Sequence, residues 1–144
     1  MEEAGIPGDI IRAVKKIYSS AYIAPSLVGV NSVIDLIAVN AGVLQGGVCS
    51  PDLFNVYLNS LIKELCPEVY EVLAYADDIA ILCRSKEELL KAMDMVEKWG
   101  AANGMEVNKK KSGVLPVLNG DKVERINGYP VKGAYKYLGI QLDN

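Results

Sequence analysis

Two short apolar runs separated by three residues constrain the fold of this chain more than any other feature. The runs are Val69–Tyr75 and Ile79–Cys83, and they flank Ala76-Asp77-Asp78. Runs of this length that are rich in Val, Ile and Leu favour β-strands, and a short polar connection between them favours an antiparallel hairpin. The sequence therefore predicts a β-hairpin with two adjacent carboxylates at its tip.

Three segments have the spacing and flanking residues of amphipathic helices. The first is predicted to follow Pro7-Gly8-Asp9 and run through Ala21, the second to start at Ser50 and end before Pro67, and the third to start at the capping box Ser85–Glu88 and end at Gly100 or Gly104. In the second helix, the Ser50 hydroxyl is the expected N-cap and Pro51 the expected first helical residue.

Further short strands are predicted outside these helices. Ser26–Val39 is rich in Val and Ile and contains Asn31-Ser32, so it is predicted to form two strands joined by a turn. Asn119-Gly120 and Asn127-Gly128 are strong hairpin-turn signals, and Tyr135–Leu142 is predicted to be a final strand. Mixed helices and hairpins over 144 residues indicate a single α+β domain.

The chain contains no histidine and three cysteines, Cys49, Cys66 and Cys83. Hydrolases that need a histidine base and metal sites that need imidazole are therefore excluded within it. The cysteines lack CxxC spacing and lie in or beside apolar segments, which indicates reduced packing thiols. The chain shows neither a secretory signal nor an apolar stretch long enough to cross a bilayer, so we expect an intracellular protein with no membrane anchor.

Charge is unevenly distributed along the sequence. Residues 1–83 carry 4 basic and 10 acidic side chains, a net charge of −6, whereas residues 84–144 carry 11 basic and 8 acidic side chains, a net charge of +3. An acidic segment followed by a basic one suits a metal site beside a polyanion, but the charge counts alone favour ordinary solvated charge. The total of −3 excludes a strongly basic nucleic-acid coat.

The adjacent carboxylates of Asp77 and Asp78 suggest a metal site. Like charges at this spacing repel each other, and a divalent cation removes that cost. Mg²⁺ prefers oxygen ligands and takes one or two protein carboxylates together with waters and substrate phosphates. Aspartate is also common in ordinary turns, and an isolated pair most often has only that meaning. The flanking strands favour the metal site, because they would hold both carboxylates rigidly.

A glycine-rich segment, Gly42–Pro51, leads directly into the second predicted helix. Its glycines allow a base or a backbone to approach closely, and Gln45 can both donate and accept hydrogen bonds. The segment matches neither GxGxxG nor GxxxxGK[ST], so it is a weak candidate for a phosphate-binding loop. Taken alone, it is better explained as a flexible start to the helix.

Four blocks in this order resemble the palm of a reverse transcriptase. They are GVLQGGVCSPDLF at Gly42–Phe54, YADD at Tyr75–Asp78, GMEVNKKKS at Gly104–Ser112 and YLG at Tyr137–Gly139. The likeness covers nearly the whole chain and is greatest to the enzymes of non-LTR retrotransposons. It implies a ferredoxin-like palm, an antiparallel sheet with helices on one face. Residues 1–144 would form part of this palm, with C-terminal hairpins from about residue 113 leading toward a thumb.

The resemblance implies a role for individual residues. Asp77 would be the principal ligand and Asp78 the second ligand of Mg²⁺ or Mn²⁺ in a two-metal nucleotidyl transfer. Lys111 would lie near the triphosphate as a cation or as a proton donor to pyrophosphate. The residues expected to contact template, nucleotide or primer are Gln45, Gly46, Gly47, Ser50, Tyr75, Asn108, Tyr137, Leu138 and Gly139. The implied partners are a template-primer, a deoxynucleoside triphosphate, and fingers and thumb segments.

The sequence departs from the family pattern in two places. Family members carry a further aspartate on a central strand before the Gly5-Ile6-Pro7 helix start, and Met1 stands where that strand should already have ended. Asp35 lies in a different part of the order and does not replace it. We therefore expect weak metal binding, little polymerase activity from this chain alone, and an open sheet edge that invites a partner strand. Leu44 stands where relatives usually have proline.

Three interpretations of the sequence stay open. The first is a palm fragment of an RNA-directed DNA polymerase. The second is a non-catalytic descendant that serves as a nucleic-acid or protein interaction module, in which case replacing Asp77 with alanine leaves its role intact. The third is an unrelated α+β domain with two aspartates in a turn, which the four ordered blocks disfavour.

Overall fold

The computed structural model describes residues 1–24, 36–39, 41–117 and 123–143. Its helices are a short 3₁₀ helix at Glu2–Ala4 followed by α1 (Gly8–Tyr18), α2 (Ser50–Leu65) and α3 (Lys86–Ala102). Its strands are β1 (Tyr22–Ile23), β2 (Ile37–Ala38), β3 (Glu71–Tyr75), β4 (Asp78–Leu82), β5 (Arg125–Ile126), β6 (Tyr129–Pro130), β7 (Ala134–Tyr137) and β8 (Ile140–Asp143). This mixture confirms the predicted α+β class.

The chain divides into two units, Met1–Tyr57 and Leu58–Asn144. Within the described ranges, the strands form four separate antiparallel pairs: β1 with β2, β3 with β4, β5 with β6, and β7 with β8. No helix in these ranges combines the length and the hydropathy needed to span a membrane.

Helix α1 of the first unit ends earlier than its pattern predicts. The predicted helix ran through Ala21, but α1 ends at Tyr18, and the N–H of Ser19 donates to the carbonyl of Lys15. Of the two predicted strands, β2 lies inside the predicted range, whereas its partner β1 precedes that range. The predicted turn at Asn31-Ser32 and Asp35 lie outside the described residues.

Helix α2 has the predicted extent but a different first turn. The N–H of Leu53 donates to the carbonyl of Cys49 at 3.0 Å, so Cys49 occupies the capping position and Ser50 lies in the helix. The prediction that Ser50 is the N-cap was therefore wrong. Its hydroxyl instead donates to the carbonyl of Leu44 at 2.5 Å, which ties the start of α2 back to the glycine-rich segment.

The predicted hairpin is confirmed by β3 and β4. The antiparallel register pairs Glu71 with Leu82 at the open end and Tyr75 with Asp78 next to the turn. Ala76 and Asp77 form the turn, so Asp78 belongs to the strand rather than to the connection. Apolar side chains on this hairpin are exposed, including Leu73 and Tyr75.

Helix α3 begins at the predicted capping box. Ser85 is the N-cap and its side chain accepts from the N–H of Glu88 at 3.2 Å, while the Glu88 carboxylate accepts from the N–H of Arg84 at 2.9 Å. Near its other end, the Trp99 indole N–H donates to the Ser60 hydroxyl at 2.9 Å and so joins α3 to α2. Among the described residues of the second unit, the buried apolar side chains are Leu58, Leu61, Leu65, Val69, Ala92, Met93, Trp99 and Tyr129.

Replacing Ser85 with alanine is expected to destabilise the chain by about 1 kcal/mol, because the N–H of Glu88 loses its partner. Urea unfolding followed by circular dichroism measures this change, and Ser112→Ala, outside the helix, is the control. If Ser85→Ala lowered the free energy of unfolding no more than Ser112→Ala does, the Ser85 cap would contribute nothing to stability.

The cysteines differ in exposure. Cys83 is half-buried, and burial, with a smaller contribution from the Glu88 charge, raises the pKa of its thiol. Cys49 and Cys66 are exposed, so the predicted packing role applies to Cys83 alone. All three thiols are free in the structure.

The C-terminal segment contains one confirmed turn and one corrected strand. Asn127-Gly128 forms the predicted turn between β5 and β6, with φ values of 49° and 84°. The predicted single strand Tyr135–Leu142 is wrong, because Leu138 and Gly139 adopt φ values of 47° and 85° and fold the segment into the β7–β8 hairpin. Positive φ values at both central residues suit a tight hairpin turn, and glycine accepts them without strain. The other predicted turn, Asn119-Gly120, lies outside the described residues.

Candidate metal and substrate site

The candidate metal site is the tip of the β3–β4 hairpin. Tyr75 pairs with Asp78 across the two-residue turn of Ala76 and Asp77, and both aspartates are exposed. Ala76 has a φ of 50°, a conformation that costs an L-residue about 1 kcal/mol or more. Strained non-glycine residues concentrate at functional sites, where the surrounding structure holds them in place. The five pairs of the ladder provide that support here.

The ligands offered by this tip are oxygen atoms of two carboxylates. Hard cations such as Mg²⁺ accept this donor set and fill their other positions with waters and phosphate oxygens. Within the part of the chain that the structure describes, no group of three Asp, Glu or Cys side chains is placed to hold a metal. Two carboxylates leave most positions of such an ion to other ligands.

The lysine block 109–111 is folded into a tight turn by Asn108. The carbonyl of Asn108 accepts from the N–H groups of Lys111 and Ser112 at 3.1 and 2.9 Å, and its side-chain oxygen also accepts from Lys111 at 3.2 Å. The three lysines are not equivalent. Lys109 is half-buried and forms an ion pair with Glu97 of α3 at 2.7 Å, whereas Lys110 and Lys111 are exposed.

Lys109 belongs to a structural cluster that the sequence did not predict. Its Nζ lies 5.0 Å from the centre of the Tyr129 ring. The bond from Lys109 and, with a smaller effect, a bond from the Tyr129 hydroxyl hold the pKa of Glu97 below its usual value. Burial raises the pKa of Tyr129, and the nearby Glu97 carboxylate raises it further, to about 12. The cluster fastens the lysine block to α3.

Stability at high pH is expected to depend on Tyr129. Because folding raises its pKa from 10.0 to about 12, the neutral phenol stabilises the fold fully below pH 10.0, and this contribution is lost as the pH rises through about 12. Wild-type chain should therefore lose stability more steeply above pH 10.0 than Tyr129→Phe, which cannot ionise. Urea unfolding at pH values from 8 upward, in steps of about half a unit, measures both slopes. If the stability of wild type and of Tyr129→Phe fell equally steeply with pH, folding would not raise the pKa of Tyr129.

Strand β7 contacts both the hairpin and the lysine turn. The Tyr137 hydroxyl lies 3.3 Å from the carbonyl oxygen of Asp78 and 3.5 Å from that of Leu73. The Tyr135 hydroxyl donates to the carbonyl of Lys111 at 2.8 Å. Sequence reasoning included Tyr137 but missed Tyr135, although its position two residues earlier on one strand is the signal that would have found it.

A cavity of about 710 Å³ lies between the C-terminal half of α3 and residues 105–110. Its wall includes the predicted residue Asn108, together with Glu97 and Lys109. The sequence could not predict it, because the space depends on how residues 105–110 pack against α3.

The glycine-rich segment lies in the first unit. Gly46 has a φ of 78°, and a side chain at Gly47 would place its Cβ only 2.6 Å from the Ser50 hydroxyl oxygen. Ser50 is buried, so its hydroxyl fixes the shape of the segment rather than facing solvent. Gln45 is exposed, as a residue that contacts a ligand must be. The segment is therefore built around glycines, as its sequence predicts.

The predicted site residues are thus distributed over both units. Gln45, Gly46, Gly47 and Ser50 belong to the first, and Tyr75, Asp77, Asp78, Asn108, Lys111, Tyr137, Leu138 and Gly139 belong to the second. Within the second unit, hydrogen bonds link Asp78 to Tyr137 and Lys111 to Tyr135. Leu138 and Gly139 form the tip of the β7–β8 hairpin.

Comparison of this chain with known proteins identifies its family. Residues 5–142 match the family model described as reverse transcriptase (RNA-dependent DNA polymerase). The chain is 31% identical over 119 residues to the Retrovirus-related Pol polyprotein from type-1 retrotransposable element R1 2 of Nasonia vitripennis. It is 29% identical over an alignment of 155 positions to the RNA-directed DNA polymerase from mobile element jockey of Drosophila melanogaster. No solved structure shows significant similarity to it.

These alignments cover 70% and 95% of this chain, but only 29% and 16% of the two relatives. The chain therefore spans less than a third of the length of the curated relatives it matches. The predicted likeness to the enzymes of non-LTR retrotransposons is confirmed by both of them. Because the family model matches nearly the whole sequence, the chain belongs to the reverse transcriptase family.

Proposed function

We propose that this chain is part of the palm of an RNA-directed DNA polymerase and that Asp77 and Asp78 are its metal ligands. The observation that carries this proposal is the two-carboxylate tip of the β3–β4 hairpin, with strained Ala76 inside the turn. The tip lies within a family match that spans residues 5–142. The relatives that are named RNA-directed DNA polymerases support the reaction class.

In this proposal, the hairpin tip holds Mg²⁺ or Mn²⁺ through the carboxylates of Asp77 and Asp78. When bound, such an ion acidifies the primer 3′-hydroxyl and neutralises charge on the transferring phosphoryl group. Lys111 supplies a further positive charge, or a proton, to the leaving pyrophosphate. Its exposed position in the turn after Asn108 leaves its side chain accessible to a triphosphate.

The remaining predicted residues position the nucleic acid and the incoming nucleotide. Gln45 and the glycines beside it lie under the template and the nucleotide, and Ser50 supports them by fixing the loop. Tyr137 and the Leu138-Gly139 tip support the primer end. Tyr75 lies beside the metal ligands, where its exposed ring can contact the primer or the nucleotide.

We further infer that the hairpin belongs to a larger ferredoxin-like sheet with helices on one face. The side chains of Leu73 and Tyr75 are 45% and 68% exposed, although both residues lie in β3, within an apolar run of the sequence. Exposed apolar strands with unpaired edges are templates for another strand. A neighbouring strand that carries a third carboxylate would cover this surface and complete the ligands of two ions about 4 Å apart.

Two carboxylates at one tip do not readily bracket two metal ions, so we expect this chain alone to bind metal weakly and to transfer nucleotides slowly. Primer extension on an RNA template with a DNA primer tests the second expectation. Fluorescence anisotropy of a labelled template-primer, with and without Mn²⁺ and dATP, tests binding. The proposal predicts that Mn²⁺ and dATP together strengthen template-primer binding, with little extension. Robust extension would refute the expected low activity, and template-primer binding that does not depend on Mn²⁺ and dATP would refute the assigned site.

Among the described residues no third Asp, Glu or Cys joins the two carboxylates of the tip, which favours a second candidate, a non-catalytic module that binds nucleic acid or protein. This alternative predicts that Asp77→Ala leaves template-primer binding unchanged both with and without Mn²⁺. The polymerase proposal instead predicts that the variant loses the part of binding that depends on Mn²⁺. The same anisotropy experiment therefore separates the two functions.

A further inference from the structure

Two tyrosines of β7 contact the two segments that carry the proposed metal ligands and the proposed cation. Tyr135 and Tyr137 are two residues apart on a strand, so their side chains lie on the same face, about 7 Å apart. Both are half-buried, whereas the intervening Lys136 is exposed. One short strand face therefore presents two hydroxyl groups at a fixed spacing.

Each hydroxyl reaches the main chain of a different segment. Tyr135 donates to the carbonyl oxygen of Lys111 at 2.8 Å, a distance typical of a good O–H···O bond. Tyr137 lies 3.3 Å from the carbonyl oxygen of Asp78 and shares its proton with the carbonyl of Leu73 at 3.5 Å. These bonds involve backbone oxygens, so they leave the Asp78 carboxylate and the Lys111 ammonium available to a ligand.

Neighbouring contacts hold the strand and the lysine turn together. The N–H of Val114 donates to the carbonyl of Pro130 at 2.9 Å, and the N–H of Lys132 donates to the carbonyl of Val114 at 2.9 Å. The Lys132 ammonium also lies 4.5 Å from the centre of the Tyr135 ring. The segment that follows Lys111 is therefore anchored beside the start of β7.

We propose that Tyr135 and Tyr137 are positioning residues that set the separation between the Lys111 cation and the Asp77-Asp78 carboxylates. This inference rests on the proposed function, which assigns the roles of Lys111, Asp77 and Asp78. When a metal-bound triphosphate binds, its metal must contact the two carboxylates while its phosphates contact Lys111. Its affinity therefore depends on this separation, whereas the affinity for the metal alone does not.

The test compares Mn²⁺ alone with Mn²⁺-dATP on the 144-residue chain. Tyr135→Phe and Tyr137→Phe keep the rings and remove only the hydroxyls, and Tyr22→Phe in β1 is the matched control. Mn²⁺ binding is measured by electron paramagnetic resonance, and Mn²⁺-dATP binding by calorimetry. We expect unchanged Mn²⁺ affinity in both β7 variants. Mn²⁺-dATP binding should be about three- to tenfold weaker in Tyr135→Phe, as the loss of one hydrogen bond implies, and weakened less in Tyr137→Phe, whose contacts are longer. The control should match wild type in both.

A double-mutant cycle with Lys111→Ala separates positioning from general loosening of the fold. If the tyrosines act through Lys111, their effect on Mn²⁺-dATP binding disappears in the Lys111→Ala background. An unchanged effect in that background, or equal weakening of Mn²⁺ alone, would overturn the inference. Wild-type affinity in both tyrosine variants would also overturn it while leaving the proposed function intact. Failure of wild type to bind Mn²⁺, or of Lys111→Ala to weaken Mn²⁺-dATP binding, would overturn the proposed function as well.

Discussion

Truncation of Leu61 to alanine is expected to lower the free energy of unfolding by about 2 to 5 kcal/mol. Leu61 of α2 is 2% exposed and belongs to the buried apolar set that includes Leu65 and Trp99. Removing its branched end deletes buried apolar contacts and leaves a cavity that the surrounding helices fill only in part. In a domain of ordinary stability, such a loss is a large fraction of the total.

Urea unfolding followed by the fluorescence of Trp99, the single tryptophan, measures this change. Leu90→Ala is the matched control, because Leu90 of α3 is 41% exposed and should lose much less. Equal losses in the two variants would mean that the buried set around Leu61 is not the core of this unit.

Replacing Asp77 with asparagine is expected to weaken Mn²⁺ binding by at least about tenfold, since even the loss of a group that only supports a metal ligand costs that much. The substitution keeps the size of the side chain but removes its charge and one strong oxygen ligand. Asp78→Asn should have a smaller effect if Asp77 is the principal ligand.

Asp94→Asn is the control for this change. Asp94 is an exposed aspartate of α3 whose carboxylate pairs with Lys98 at 2.7 Å, so its loss removes the same charge away from the hairpin. Exposed pairs of this kind contribute little to stability. If Asp94→Asn weakened Mn²⁺ binding as much as Asp77→Asn, the effect would reflect net charge and not a site.

Local sequence signals predicted much of the secondary structure. The capping box at Ser85 and the proline after Leu65 each act within a few residues, and both helix boundaries follow from them. The hairpin around Asp77 is equally local, because apolar runs and a short turn determine it. Signals that act over one turn of chain can be read without knowledge of the packing.

The failures occurred where a local signal was ambiguous. Tyr135–Leu142 is apolar and aromatic enough to read as one strand, and the single glycine at 139 did not reveal a turn that also places Leu138 at positive φ. Ser50 has the sequence of an N-cap, but a tertiary partner, the carbonyl of Leu44, takes its hydroxyl. Competition of this kind between local and tertiary bonds is invisible in sequence.

The residues of the candidate site stay predictions, and the sequence did not indicate the contacts between their segments. Asp77 and Asp78 follow from their place between two apolar runs and Lys111 from the family resemblance, whereas the bond from Tyr135 to Lys111 joins residues 24 positions apart. The cluster of Glu97, Lys109 and Tyr129 likewise forms only when three separate segments meet. Such contacts depend on how elements pack, which residue patterns along one segment do not specify.

The central claim is that the β3–β4 tip binds a divalent cation, and paramagnetic broadening by Mn²⁺ tests it most directly. In a ¹⁵N-labelled sample with substoichiometric Mn²⁺, the amide signals of residues 76–79 should broaden first, and excess Mg²⁺ should restore them. Asp77→Asn should abolish the effect. Broadening that starts elsewhere, for example at Glu87 and Glu88 in the first turn of α3, or no selective broadening at all, would contradict the claim.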